Sequence, residues 1–270
     1  MKDKVILITG GTSGIGLALA RRFGQEGGRI AFTGRDAQRC SQTEAGLQRE
    51  GIEALGIAAD AASEQDQYRA VAETINRYGR LDVLINNAGI SMRSLFAELS
   101  TEVFRKVMDI NFYGTVYATK AALPWIQKSR GSIVGISSVA GFKGLPGRTA
   151  YSASKFAMEG FLEALEGELL PKKVHILIAC PGFTASRIRE NALTGDGLPQ
   201  QESPREEARM MQPEEVADAV FRAIQKKNRR IVLSPEGKLS FWLNKFFPAF
   251  VLRKVYDKMA AEPGSGMASR

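Results

Sequence analysis

The sequence predicts a single α/β domain, a doubly wound parallel sheet of seven strands with helices on both faces. Three observations lead there. Short apolar runs alternate with helix-length amphipathic stretches along most of the chain. The runs are apolar through their centres without a polar–apolar alternation, as strands covered on both faces must be. A glycine-rich turn joins the first run directly to the first helical stretch.

The runs, in order, are Val5–Thr9, Arg29–Thr33, Ala54–Ala59, Val83–Asn86, Ser132–Ser137, Val174–Ala179 and Arg230–Leu233. Each is four to six residues long and bounded by Gly, Asn or Asp signals, the pattern of a buried strand. Helical patterns lie between them at Gly14–Glu26, Thr101–Lys128 and Tyr151–Leu170. Strand–helix alternation of this kind builds one sheet covered on both sides. No internal repeat or linker divides the chain, so residues 1–236 are expected to form one domain. Within it, 187–212 is polar and interrupted by Gly195, Gly197, Pro199 and Pro204, which predicts a substrate loop or lid. Residues 237–270 form an aromatic extension. Pro248 divides Gly237–Met259, and Phe247, Val251, Val255 and Met259 recur every four residues, with Arg253, Lys254 and Lys258 on other faces. This tail is expected to cap the pocket or pack on a neighbouring subunit, in preference to lying in a membrane interface.

Composition limits the function. Of 270 residues, 44% are hydrophobic, far above the disordered range. The net charge of +8 raises nucleic acid or an anionic membrane as partners. Neither a basic tail nor zinc-finger spacing nor an RNP-like aromatic motif supports nucleic acid, so no nucleic-acid partner is expected. The one cluster, Lys226, Lys227, Arg229 and Arg230, reads as a solvated face. Two cysteines, Cys40 and Cys180, make no disulfide framework and suit a reducing, cytoplasmic setting, with membrane association left open. A single histidine excludes His-rich metal sites and disfavours Ser-His-Asp chemistry; no metal is expected. The start, Met-Lys-Asp-Lys followed by Val5–Ile8, leaves no room for a signal peptide, and no apolar run approaches transmembrane length.

The glycine-rich turn reads Thr9-Gly10-Gly11-Thr12-Ser13-Gly14-Ile15-Gly16. Between a strand and a helix, such a turn lets backbone N–H groups approach a pyrophosphate; the alternative is a plain tight turn. The second strand ends Thr33-Gly34-Arg35-Asp36. Arg35 can pair with a ribose 2′-phosphate, which favours NADP(H), although Asp36 could reach the ribose after a one-residue shift. Tyr151 and Lys155 stand four apart on one helical face. Tyrosine needs a pKa shift of about 3 units for acid/base work near neutrality, and an adjacent ammonium shifts it in that direction. Alone, Tyr-x3-Lys would more often be a surface pair; Ser138, after the fifth strand, adds a hydroxyl. Asn111 ends an apolar-patterned helical stretch where a buried amide needs partners.

The ordered set Thr9-Gly10-x3-Gly14-x-Gly16, Asn86-Asn87-Ala88-Gly89, Asn111, Ser138, Tyr151-x3-Lys155 and Pro181-Gly182 resembles the short-chain dehydrogenase/reductase family over about the first 235 residues. The resemblance implies a Rossmann-type sheet with the nicotinamide at the strands' carboxyl ends, and dimers or tetramers built through the helices at Thr101–Lys128 and Tyr151–Leu170. It implies that Tyr151 is the acid/base, that Lys155 lowers its pKa and holds the ribose, that Ser138 orients the substrate oxygen, and that Asn111 supports a relay water. It further implies that Asp60 meets the adenine, and that Asn87, Ala88 and Gly89 line the cofactor with Pro181, Gly182, Thr184 and Ser186. Thr184 and Ser186 depart from the family's usual aliphatic residue and Thr. His175 and Cys180 are expected to be structural.

Ile90, Met92, Phe96, Phe142, Leu145, Pro146 and Phe183 follow the site motifs and suggest a hydrophobic ketone or alcohol, or else simple packing. Arg93, Lys143 and Arg148 in the same loops could meet an anionic group. The leading expectation is an NADP(H)-dependent carbonyl reductase for a lipid-like small molecule. The alternatives are a 3-oxoacyl thioester (acyl-carrier) reductase and a non-catalytic NADP-binding sensor.

Overall fold

A computed structural model describes residues 1–185, 188–201 and 210–267. Its seven strands are β1 (Val5–Ile8), β2 (Arg29–Gly34), β3 (Ala54–Ala58), β4 (Val83–Asn86), β5 (Ser132–Ile136), β6 (His175–Cys180) and β7 (Arg230–Val232). All pair in parallel in the order β3-β2-β1-β4-β5-β6-β7. The order reverses between β1 and β4, which opens a crevice beyond their carboxyl ends.

The apolarity of the strand interiors has a direct cause. In β1, Ile6 and Ile8 face a core shared with Leu19, Phe23, Val220 and Phe221, whereas Val5 and Leu7 face Val71, Ala122, Met158 and Leu162. Successive side chains enter opposite layers, so none can be polar. The first layer is built by α1 (Gly14–Gln25), α2 (Ala37–Arg49) and α7 (Pro213–Gln225), the second by α3 (Glu64–Tyr78), α5 (Gly114–Ser129) and α6 (Thr149–Leu169). Phe23 of α1 meets Phe221 of α7 edge to face at 5.3 Å, locking two helices distant in sequence.

The single helix expected over Thr101–Lys128 is two. α4 (Thr101–Met108) is separated from α5 by a wider π-turn at Asp109–Tyr113. Asn111 lies in that turn, fully buried, and its side chain is bonded to another segment of the chain. Such widened turns recur at functional sites. The tail also forms two helices, α8 (Pro235–Phe246) and α9 (Pro248–Ala260), each with a proline in its first turn. Val251 and Met259 of the expected stripe are buried, but Phe247 is exposed at the corner. No helix among the described residues is long and apolar enough to cross a membrane.

Candidate active site

The loop after β1 is shaped by contacts that only glycine permits. Gly10 has φ +68°, and a Cβ there would stand 2.9 Å from the Ala88 Cα. A Cβ on Gly16 would lie 2.2 Å from the Gly10 carbonyl oxygen. Asn87 holds the loop, its Nδ2 donating to the Thr9 and Gly10 carbonyls, both at 3.0 Å. The Thr9 hydroxyl accepts from the Asn87 and Ala88 N–H groups, each at 3.0 Å. α1 then starts at Gly14 with Ser13 as a cap whose side chain makes no capping bond. The first N–H groups of the helix, those of Gly14, Ile15 and Gly16, therefore face the crevice beside Thr12 and Ser13, a cradle suited to a pyrophosphate.

At the end of β2, Arg35 and Asp36 are both exposed. Asp36 caps α2, accepting from the Arg39 N–H at 3.0 Å. That bond anchors its carboxylate at the helix start, and no acid among the described residues pairs with Arg35. Asp60, after β3, is exposed and accepts from the Ala62 N–H at 3.0 Å.

The strand ends of β4, β5 and β6 bring the other residues together. Tyr151 and Lys155 occupy the first two turns of α6. Lys155 is buried, donates to the Ile136 carbonyl at 2.9 Å, and has its Nζ 5.9 Å from the centre of the Tyr151 ring. Ser138, just after β5, accepts from the Ala140 N–H at 3.2 Å, and its hydroxyl lies close enough to the Tyr151 phenol to pull the phenol's pKa down. A Cβ on Gly89 would stand 3.2 Å from Asn111 Oδ1 and 3.7 Å from Lys155 Nζ, so the Asn87–Gly89 segment meets α6 at this point.

Asn111 is a brace. Its Oδ1 accepts from the Ile90 N–H at 2.8 Å, while Nδ2 donates to the Ile90 carbonyl at 2.9 Å and to Ser154 Oγ at 3.0 Å. Ser154 donates onward to the Tyr151 carbonyl at 2.8 Å. The amide thus ties the loop after β4 to the first turn of α6. Pro181 and Gly182 follow β6, and the Pro181 carbonyl accepts from the Val139 N–H at 3.2 Å, aligning Ser138. Thr184 is buried and donates back to the Gly182 carbonyl at 3.2 Å. Ser186 lies outside the described residues, as do Arg187 and 202–209 of the expected lid.

The electrostatics differ from expectation in one respect. Burial pushes the Tyr151 phenol above its ordinary pKa, against the nearby Ser138 hydroxyl and the Arg148 charge, which pull it down. The downward pull expected from Lys155 is not among the influences on the phenol, and removal from water outweighs those of Ser138 and Arg148. Burial pushes Lys155 down to about 8, and the Glu159 carboxylate opposes this.

Glu159 is the residue that sequence reading missed. One turn beyond Lys155, it accepts from Ser137 Oγ at 2.5 Å, from Cys180 Sγ at 3.4 Å and from the Arg230 guanidinium. It therefore joins α6 to β7 and to the ends of β5 and β6. Its i,i+4 spacing from Lys155 was the available signal.

The expected substrate walls divide. Met92 is fully buried against Val103 and Leu193, which is packing, and Phe96 is exposed. The three cations proposed for an anionic group are engaged by the tail. Arg148 pairs with Glu262 at 2.8 Å and Arg93 with the same carboxylate at 3.8 Å, while Lys143 donates to Asn244 at 3.0 Å. Phe142 meets Phe241 of α8 edge to face at 5.0 Å. The inner side of the tail thus lies on the loops that follow Ser138 and Ile90. His175, at the opposite, amino end of β6, bonds Ser132 Oγ at 3.1 Å and the Asn228 carbonyl at 2.8 Å, a structural role.

Comparisons with known proteins agree with this geometry. The short chain dehydrogenase family model matches residues 4–196. Dehydrogenase/reductase SDR family member 7B of Bos taurus is 33% identical over 270 residues, covering 97% of this chain and 83% of its own. A Drosophila melanogaster dehydrogenase/reductase SDR family protein 7-like is 32% identical, covering 92% and 78%. Among solved structures, a short-chain dehydrogenase from Streptomyces avermitilis superposes with TM-score 0.79 at 26% identity, covering 95% of this chain and 97% of that one. The apo form of LigD from Sphingobium sp. strain SYK-6 does so with TM-score 0.78 at 25% identity, covering 93% and 97%. The sheet order, the glycine cradle and the matched sequence converge: the chain belongs to the short-chain dehydrogenase/reductase family of nicotinamide-dependent oxidoreductases.

Proposed function

We propose that this protein is a cytoplasmic NADP(H)-dependent reductase of the carbonyl group, or oxidant of the secondary alcohol, of a hydrophobic, lipid-like small molecule. The observation that carries the reading is buried Lys155, tied to the Ile136 carbonyl with its Nζ 5.9 Å from the Tyr151 ring centre, one turn from Tyr151 and beside both Ser138 and the Asn87–Gly89 segment.

The cofactor, when bound, supplies or accepts the hydride at the carbonyl carbon. Gly10, Thr12, Ser13, Gly14, Ile15 and Gly16 would hold its pyrophosphate, and Asp60, Asn87, Ala88, Gly89, Pro181, Gly182, Thr184 and Ser186 would line the rest. In reduction, Tyr151 gives its phenolic proton to the substrate oxygen as negative charge develops there. The Ser138 hydroxyl donates to the same oxygen and orients it. Lys155 stabilises the resulting phenolate and binds the ribose, and Asn111 keeps the loop after β4 in place beside them. A raised phenol pKa serves this direction, since the proton stays on Tyr151 until the oxygen needs it.

Arg35 supports NADP(H), because Asp36 is anchored as the α2 cap and leaves the guanidinium as the charge facing a 2′-phosphate. NADPH and NADH consumption, measured against long-chain ketones, 3-oxoacyl thioesters, steroids and small carbonyls, tests both cofactor and substrate. NADPH is expected to be preferred, and Arg35→Glu to lower kcat/KM for NADPH by roughly 10- to 100-fold, as loss of a charge-assisted phosphate contact does. A preference for NADH would overturn the assignment of Arg35.

The engagement of Arg93, Lys143 and Arg148 by the tail removes one support from the acyl-carrier alternative. The sensor alternative is disfavoured by the intact Ser138, Tyr151 and Lys155. The extension 237–270 is read as an aromatic amphipathic appendage that caps the loops after Ser138 and Ile90, with 237–259 open to peripheral membrane contact. A homodimer or homotetramer is expected through α4, α5 and α6, where Tyr113 and Phe156 are exposed. Phe156→Glu is expected to shift the assembly towards monomer in sedimentation velocity; an unchanged profile would place the interface elsewhere.

A further inference from the structure

We infer that the outer face of the α8–α9 hairpin docks on an anionic phospholipid surface and holds the substrate entrance against it. The proposal rests on the hydrophobic-substrate reading for its purpose, and on the surface itself for binding.

The hairpin has two unlike sides. Its inner side is committed to the fold: Phe241 packs on Phe142, Asn244 accepts from Lys143, and Val251 and Met259 are buried. Its outer side carries Leu239, Trp242, Phe246, Phe247, Phe250 and Leu252, each between 53% and 72% exposed. In α8, residues 239, 242 and 246 follow helical spacing along one stripe, and Phe247 and Phe250 continue it around the corner into α9. A cluster of large apolar side chains this exposed marks an interaction surface.

Charge selects the occupant. Lys258 pairs with Glu236, which leaves exposed Lys238, Lys245, Arg253 and Lys254 against Asp257 alone on the two helices. The cations flank the rings: Lys245 Nζ lies 5.0 Å from the Trp242 ring centre and Lys254 Nζ 5.9 Å from that of Phe250. Aromatic and leucine side chains between lysines suit an interface in which rings enter the acyl boundary and ammonium groups meet phosphates. A second copy seated face to face would oppose like charges, and a zwitterionic bilayer would offer the lysines no net attraction.

The position gives the surface a use. Phe142, four residues after Ser138, touches the inner side of α8, so docking the outer side brings the bilayer next to the loops around Ser138 and Tyr151. A lipid-like substrate could then pass from bilayer to site without crossing water.

The test is cosedimentation of the full chain with vesicles of phosphatidylcholine alone and of phosphatidylcholine mixed with phosphatidylglycerol, at low and high salt. Binding to the mixed vesicles, weakened by salt, is expected. Trp242→Glu and Phe246→Glu should each weaken it about tenfold, from lost apolar insertion. Lys245→Gln should weaken it about fivefold, the effect of one basic residue near an anionic surface. Both apolar positions are exposed, so these variants should keep NADPH binding, measured as the check on folding. No binding to either vesicle, or binding that the two Glu variants leave unchanged, would overturn the proposal. So would self-association abolished by Phe246→Glu in a chain that ignores vesicles. Turnover of a detergent-dispersed ketone without vesicle binding would sink docking alone, and vesicle binding without any turnover would sink the reductase reading alone.

Discussion

Replacement of Tyr151 by Phe is expected to lower kcat for carbonyl reduction roughly a thousandfold while leaving NADPH affinity nearly unchanged. The substitution deletes one oxygen and keeps the ring, so the packing of the first turn of α6 is retained. What disappears is the proton donor. Ser138 cannot replace it, because a serine hydroxyl is too weak an acid to lose a proton near neutrality. The pH dependence of the parent enzyme should carry the same assignment. Burial pushes the phenol up, so the protonated form serves reduction throughout the neutral range, and activity falls only on the alkaline side. Alcohol oxidation needs the phenolate, so its rate should rise with pH. Stopped-flow fluorescence of NADPH would check both directions on the parent and the variant. Turnover retained by Tyr151→Phe within about threefold would assign the proton to another group.

The inner strands were legible because each is covered on both faces, whereas the edge strands β3 and β7 are only partly buried. A side chain that points into one apolar layer or the other leaves a run with no polar position, and no tertiary detail is needed to recognise it. The site motifs were legible for a related reason: Gly10, Gly16, Tyr151 and Lys155 act through local spacing. What could not be read depends on partners far along the chain. The break at Asp109–Tyr113 follows from Asn111 bonding to Ile90, which no periodicity reports. Arg148 looked available to a substrate, but its carboxylate partner, Glu262, is 114 residues away, just after α9. The tail's amphipathic period suggested packing, yet only coordinates separate a stripe that packs from a neighbouring one that does not.

Glu159 is the most instructive of these residues, because a glutamate in the middle of a helix reads as a solvated one. Glu159→Gln is expected to cost about 2 to 3 kcal/mol of stability, since it leaves the Arg230 guanidinium half-buried beside a neutral amide. The cost stays below that of a fully buried orphan charge because Arg230 also pairs with exposed Glu163 at 2.6 Å. A second effect concerns chemistry. The groups facing Lys155 are Tyr151 and Glu159 on its own helix, Cys180 on β6 and, behind Glu159, Arg230 on β7. Burial keeps the Cys180 thiol neutral, so Glu159 is the charge that favours the Lys155 ammonium. Folding already lowers the Lys155 pKa from 10.5 to about 8, so the buried ammonium costs stability below that pH and the cost lifts as pH rises between the two values. Without Glu159 the folded pKa falls further. The alkaline limb of kcat/KM for NADPH, which reports on the free enzyme, should then move to lower pH, and the stability deficit at neutrality should grow. Thermal unfolding and the pH profile separate the two roles. A destabilised Glu159→Gln enzyme with an unmoved limb would reduce Glu159 to a structural strut. Glu159→Gln combined with Arg230→Met removes both charges, so it should recover stability and return the limb towards that of the parent, because the guanidinium left unpaired by the single change also disfavours the ammonium.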